Sequence, residues 1–289
     1  MALLLIASSC AYASDEWVMY ARNFNTPHLK QSILSYAEKT ETEFGEYTLV
    51  SSQDMEQGRA FAELVKGNID IFIGAPTKER ERLARAIYVP LDRGMLGFRI
   101  CLIHTENQRL MDVDTPQHII NKNLSVGLGS HWPDKSVYTN NGFDTVTSPI
   151  HDALYGMLHN KRFDCLTRSV NEIKDDLNNH PTLNIKVEPS LMFIYPLGDF
   201  IFVNANNHDL FARLHKGVHA ALKDNSFYDA FDQHYSNDMR INRVNERKLI
   251  FLQNNNISEK ARNALNTYGI TSILSESAQP ADETNDSEQ

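Results

Sequence analysis

An α/β protein of two doubly wound lobes, joined by two crossover strands, is the architecture to expect from this chain. The clearest sign lies at residues 69–104, where a short apolar strand (69–73) stops at Gly74 and a turn containing Thr77 opens an arginine-bearing helix. A second strand, 98–104, then leaves in an extended run. A second sign is the order of elements, because strand alternates with helix from the start and the pattern restarts after residue 104. A third is the length of 289 residues, which suits two modest cores better than one large one.

In order, residues 16–21 read as a strand. Pro27 precedes an amphipathic helix with Ile33, Leu34 and Ala37 on one side, and 47–51 is the next strand. A helix over 56–66, capped from Asp54, turns Phe61, Leu64 and Val65 inward and ends at Gly67. After 98–104, Thr115-Pro116 begins a short helix, 124–128 is a strand, 134–140 is helical and Asn141-Gly142 is a turn. Helix 150–159 leads to strand 163–166, a helix starting at Ser169 or Asn171 follows, and 183–187 is a strand. Residues 199–203 read as the return crossover. Helices are then expected over 209–223, 226–234, 240–253 and 258–267. The expected division is 14–99 plus 200–255 for the first lobe and 100–199 for the second. A C-terminal helix region (256–274) and an acidic tail (275–289) complete it, the tail being too polar to order itself by burial.

Composition narrows the function. The net charge of −9 argues against nucleic acid, which needs a basic face. Setting aside the tail acids Glu276, Asp282, Glu283, Asp286 and Glu288 leaves a mild −4 for the body. The apolar run 2–7 followed by Ala11-Tyr12-Ala13 reads as a signal peptide cleaved near Ala13, so residues 1–13 are set apart and export to the periplasm is expected. Acylation of Cys10 is the weaker reading. Cys101 and Cys165 would survive processing, and two buried free thiols are expected rather than a disulfide.

The strand with Asp70, then Thr77 and Arg80 (or Arg82), then Tyr88 and Pro90 before the crossover, resembles the type 2 periplasmic substrate-binding proteins. The likeness is to solute-binding family 3, which includes amino-acid receptors of ABC transporters. Residues 127–134 (Gly-Leu-Gly-Ser-His-Trp-Pro-Asp) and 161–172, with Arg168 and Glu172, add to the likeness, which runs from about residue 16 to 255. It implies a non-enzymatic protein that captures a small-molecule ligand bearing a carboxylate for a membrane permease or sensor, as a monomer and without a cofactor or nucleic acid.

The resemblance implies that Arg80 clamps the ligand carboxylate with Thr77 beside it. Arg168, held by Glu172, is expected to face the gap from the second lobe. Arg22 and Phe24 follow the first strand, Ser130 and Trp132 follow strand 124–128, and Arg99 and Tyr195 sit on the two crossovers; all are candidate ligand contacts. An acidic residue for a ligand ammonium is expected in the second lobe, yet Asp164 precedes the turn and Arg168 occupies it. That substitution points to a more anionic ligand, or to a branch of the family that does not bind amino acids at all. Two alternatives remain: a dehydratase-type enzyme using Glu172 as acid/base with a raised pKa, and an interaction module with a vestigial cleft. His208, His215 and His219 recur at helical spacing and are read as a surface stripe, not a metal site.

Overall fold

The computed structural model describes residues 15–110 and 112–270, so the stretch expected to be a signal peptide, Cys10 and the acidic tail lie outside the described residues. Its strands, in chain order, are β1 (Asp15–Met19), β2 (Tyr47–Ser51), β3 (Ile71–Gly74), β4 (Ala84–Ile87), β5 (Phe98–His104) and β6 (Ser125–Gly129). They continue with β7 (Asp144–Ser148), β8 (Cys165–Ser169), β9 (Ile185–Val187), β10 (Leu191–Ile194), β11 (Phe200–Asn204) and β12 (Lys248–Phe251).

Two sheets result. The first has the order β2-β1-β3-β11-β4, with β1, β2 and β3 parallel and β11 antiparallel to its neighbours. The second runs β12-β10-β5-β8-β6-β7, with β9 paired to β5. β5 and β11 are the two crossover strands. Both are buried along their whole length, because alternate side chains enter a different hydrophobic core on each face. The helix Pro27–Glu38 packs with His208–Lys223 over the first sheet, where Ile33, Ala37, Leu214 and Val218 share a core with Ile71 and Ile201.

Helix entry and exit follow local chemistry. Pro27 stands in the first turn, where its missing N–H costs nothing. Gly67 ends helix Gln57–Lys66 in the left-handed conformation at φ 83°. Thr77 caps Lys78–Leu83, its hydroxyl accepting the Arg80 N–H at 3.0 Å.

Several expectations are corrected. Residues 84–87, expected as a helical continuation, form strand β4. The second-lobe strand expected over 163–166 runs Cys165–Ser169, so Arg168 lies on the strand and not beyond it, and the following helix starts at Ile173. Residues 248–251, expected inside a first-lobe helix, form β12 and pair in parallel with β10 of the second sheet. Helix Ser226–Ile241 takes up part of that stretch by running seven residues past its expected end. The two cysteines are not free thiols: Cys101 and Cys165 form a disulfide with Cα atoms 5.1 Å apart. They lie on neighbouring strands, with Cys101 opposite Thr167 and so diagonal to Cys165, a separation that a disulfide spans.

Candidate functional site

The segments that follow β1, β3, β6 and β8 converge on one gap, at the carboxyl edge where open α/β sheets seat ligands. A cavity of about 340 Å³ fills it. Arg22, Asn23, Gln57 and Ala75 line it from the first lobe, Leu96, Arg99 and Asp199 from the hinge, and Trp132, Asp134, His151, Arg168 and Glu172 from the second. The lobes meet beyond it, since a Cβ on Gly58 would lie 3.0 Å from the His131 ring.

A grid of charges forms the second-lobe wall. Arg99 Nη2 lies 2.7 Å from Asp134 Oδ1 and its Nη1 lies 3.1 Å from Glu172. Arg168 reaches Glu172 at 3.0 Å and Asp176 at 2.7 Å, with the Trp132 ring 5.2 Å from its guanidinium carbon. Hydroxyls complete the carboxylates: Tyr195 donates to Asp134 and Tyr155 to Asp176, each at 2.5 Å. In this largely buried wall each of these contacts is a charge-assisted hydrogen bond, stronger than it would be in water. Arg168 is accordingly driven above its usual range. Burial opposes this, but Glu172 and Asp176 outweigh it.

Glu172 moves the other way from a general acid. Burial pushes it up, yet Arg168, Arg99 and the Ser169 N–H together hold its carboxyl below the usual range. The raised pKa that the enzymatic alternative required is absent from this carboxyl. His151, whose ring lies tilted against Trp132 with centroids 5.7 Å apart, is lowered by burial and by Arg168.

The polypeptide topology can be set beside solved structures. An ancestral arginine-binding protein bound to glutamine superposes with a TM-score of 0.59 at 12% identity, over 78% of this chain and 99% of that one. A Salmonella typhimurium periplasmic binding protein with high arginine specificity matches at TM-score 0.56 and 12% identity, over 77% and 100%. The fold is that of the type 2 periplasmic substrate-binding proteins. A periplasmic His/Glu/Gln/Arg/opine family-binding protein from Silicibacter pomeroyi, in complex with lysine, is also similar, at TM-score 0.56 and 9% identity over 77% and 97%. No protein-family model and no curated protein matches the sequence, so the likeness is one of fold.

Within this type 2 fold, five of the ten candidate residues line the cavity: Arg22, Arg99, Trp132, Arg168 and Glu172. Arg22 is half-exposed on the first-lobe side and pairs with Glu56 at 2.9 Å. Thr77, Arg80 and Ser130 line a neighbouring cavity instead, on the far side of the Gly58–His131 contact. Arg80 is only 7% exposed, donates to Ala75 C=O at 2.8 Å and Gln57 Oε1 at 3.0 Å, and leans on Phe61 and Phe72. Burial lowers it to about 10. It is therefore tied into the first lobe and does not line the main cavity. Tyr195 is buried behind the wall and acts on it through Asp134. Phe24 faces Lys30, 3.8 Å away, and is not part of the lining.

Asp134, Asp176 and Asp199 were not among the candidates. Asp134 is the opening residue of a helix, and Asp176 lies eight residues after Arg168, so neither spacing advertises the contact. Asp164, considered for a ligand ammonium, binds Arg109 and the Ser125 N–H away from the cavity. Among the described residues no group of three or more His, Cys, Asp or Glu is placed to hold a metal ion. The His215 and His219 rings lie 4.4 Å apart in a tilted contact, while His208 meets Arg85.

Proposed function

We propose that this protein is a periplasmic solute-binding protein that captures a small polar, carboxylate-bearing solute between its lobes and hands it to a membrane permease or sensor. One observation carries the reading: a single cavity receives charged and hydrogen-bonding groups from both lobes and the hinge, so a ligand seated there bridges bodies that are otherwise joined mainly by strands. Closure is then a population shift supported by contacts that only the closed form makes. The solutes named for the similar structures (glutamine, arginine and lysine) are all amphoteric and carry a carboxylate. Arg22, Arg168 and the Trp132 ring are the groups we assign to that carboxylate end.

A thermal-shift screen with amino acids, dicarboxylates and neutral sugars tests this. At a hundredfold excess over Kd a ligand stabilises the native state by about 2.7 kcal/mol, enough to see clearly. Arg22→Ala, at a half-exposed site, is expected to weaken a hit by about tenfold (about 1.4 kcal/mol) without lowering the melting temperature of the unliganded protein. Stabilisation by neutral sugars alone removes the carboxylate from the proposal. Stabilisation by nothing in the screen removes solute capture itself.

A further inference from the structure

Three arginines and five carboxylates (Asp134, Glu172, Asp175, Asp176 and Asp199) line the cavity, and the arginines are already engaged. Arg22 holds Glu56, Arg99 holds Asp134 and Glu172, and Arg168 holds Glu172 and Asp176. Among the carboxylates, Asp175 is exposed at the rim. Asp199 lies inside, at the start of crossover β11, and among the described residues its side chain makes no hydrogen bond and no ion pair. Its backbone is pinned on both sides: the N–H donates to Asp92 Oδ1 at 2.9 Å and the carbonyl accepts from the Leu91 N–H at 2.8 Å. The carboxyl is thus held at a fixed place in the wall with its polar atoms unspent.

On this solute-capture reading, we propose that Asp199 is the residue that sets charge specificity, receiving a cationic group of the ligand at the hinge, so that the cleft favours solutes with an extra positive charge over neutral isosteres. Of the second-lobe carboxylates in the lining, Asp134, Glu172 and Asp176 are already paired with arginines, and Asp175 stands exposed at the rim. Strand β8 of that lobe presents Arg168 at the cavity, and Asp164 is turned away to Arg109.

The surroundings explain why a cation is needed. Asp92, 1% exposed, lies behind Asp199 and accepts N–H groups from Gly94, Leu96 and Asp199. The other charged or titratable groups acting on Asp199 or sharing its surroundings are Glu172 and Asp134 from the second lobe, Arg99 from β5, Arg80 from the first lobe and Tyr235 from helix Ser226–Ile241. Arg99 is the near cation, and it is already divided between two carboxylates. Burial first, and then Asp92 and Glu172, push Asp199 well above the usual carboxylate range. In the unliganded protein this favours the neutral carboxyl. Seating an ammonium or guanidinium breaks the Asp199 O–H bond, sends the proton to bulk buffer and leaves a carboxylate paired with the ligand cation.

Calorimetry at pH 7 with L-arginine, L-lysine, their neutral counterparts L-citrulline and L-norleucine, and L-glutamate tests the assignment. Each titration is run in phosphate and again in Tris, whose ionisation heats differ. The cationic probe is expected to bind at least about tenfold more tightly than its neutral counterpart, with a buffer-dependent heat equal to roughly one released proton. Asp199→Asn should bring that preference within about threefold and abolish the buffer dependence, with an unchanged circular dichroism spectrum. Equal binding of L-citrulline and L-arginine, or a preference that survives Asp199→Asn, would each overturn the role of Asp199 while leaving solute capture standing. The L-arginine and L-citrulline comparison needs no variant, so it decides even if Asp199→Asn does not fold. If no probe binds and no sugar does either, solute capture falls and this assignment with it.

Discussion

Arg213 shows how much one side chain can be asked to do in the first lobe. Only 1% exposed, it has its guanidinium 4.7 Å from the rings of both Trp17 and Tyr47, which themselves stack 4.7 Å apart. Its nearest acceptors are the carbonyls of Ala37 and Phe44, at 3.4 and 3.5 Å. A planar, delocalised cation suits this slot and a compact ammonium does not. Arg213→Lys is therefore expected to lower stability by about 1–3 kcal/mol in urea unfolding, and a variant as stable as the parent would show that the rings contribute little. His28 makes the pH argument at the same scale. It packs against His234 and Tyr235, and burial, then the His234 charge, lower it to about 4. A base depressed in the folded state contributes stability above its unfolded pKa of about 6.5, and that contribution is lost as pH falls from about 6.5 toward 4. Acidification over that window should cost about 1–3 kcal/mol, and His28→Gln should flatten the slope of melting temperature against pH. Asp199 has the opposite sign. Raised in the folded state, it contributes stability at low pH that disappears as pH rises above the ordinary carboxylate pKa, so Asp199→Asn should steepen the acid-side loss rather than relieve it.

Among the elements, the pair β5 and β8 joins the hinge to the second-lobe wall, and the disulfide ties the two strands together. Reduction releases a loop with a sequence separation of 64, which on a chain-entropy account costs about 4 kcal/mol. We expect a reduced or Cys101→Ala/Cys165→Ala protein to melt clearly lower. Because β8 carries Arg168, its ligand affinity should fall as well. Equal melting temperatures in the presence and absence of reductant would mean the bond does not bear on the fold. The legibility of the elements followed burial. β3, β5 and β11 are predominantly apolar and buried along their length and stood out in the sequence, whereas β4 is Ala-Arg-Ala-Ile and β12 Lys-Leu-Ile-Phe, four residues each with a charge. Runs that short carry too little periodicity to separate strand from helix. β7, Asp-Thr-Val-Thr-Ser, is half-exposed at a sheet edge and shows no buried face over most of its length. The site divides in the same way. Arg99, Arg168 and Glu172 were legible because they stand at or just beyond strand ends, whereas the partners that occupy Arg99 come from Asp134 and Glu172, 35 and 73 positions away, which only the tertiary fold brings together.

At the scale of the molecule, the lobes are joined by more than the two crossovers. After pairing with β10 in the second sheet, the chain leaves β12 and crosses to the first lobe. Leu252 N–H donates to Ile194, Asn254 Nδ2 donates to Pro196 on the hinge at 2.9 Å, and Asn256 accepts the Lys78 N–H at 2.9 Å. Ser258 then bonds Glu81, and Ala261, Ala264 and Leu265 of helix Glu259–Tyr268 pack with Phe72, Phe200 and Phe202 of the first lobe. Arg262 steadies the passage by donating to the Asn254 carbonyl at 2.7 Å. A third link anchored in both lobes limits how far a hinge can open, since opening must stretch the strap or break its bonds to Pro196 and Lys78. If so, the unliganded protein spends more of its time near the closed arrangement and pays less of the conformational cost at binding. Asn254→Ala combined with Arg262→Ala frees the strap without touching the cavity. Small-angle scattering should show a larger radius of gyration for the unliganded variant and the parental value once ligand is added. Its apparent Kd should rise about 3–10-fold, the fraction by which the closed population is diluted. An unliganded radius of gyration equal to that of the parent would mean the crossover strands alone set the range of opening, and the strap then acts only as a dock for the last helix.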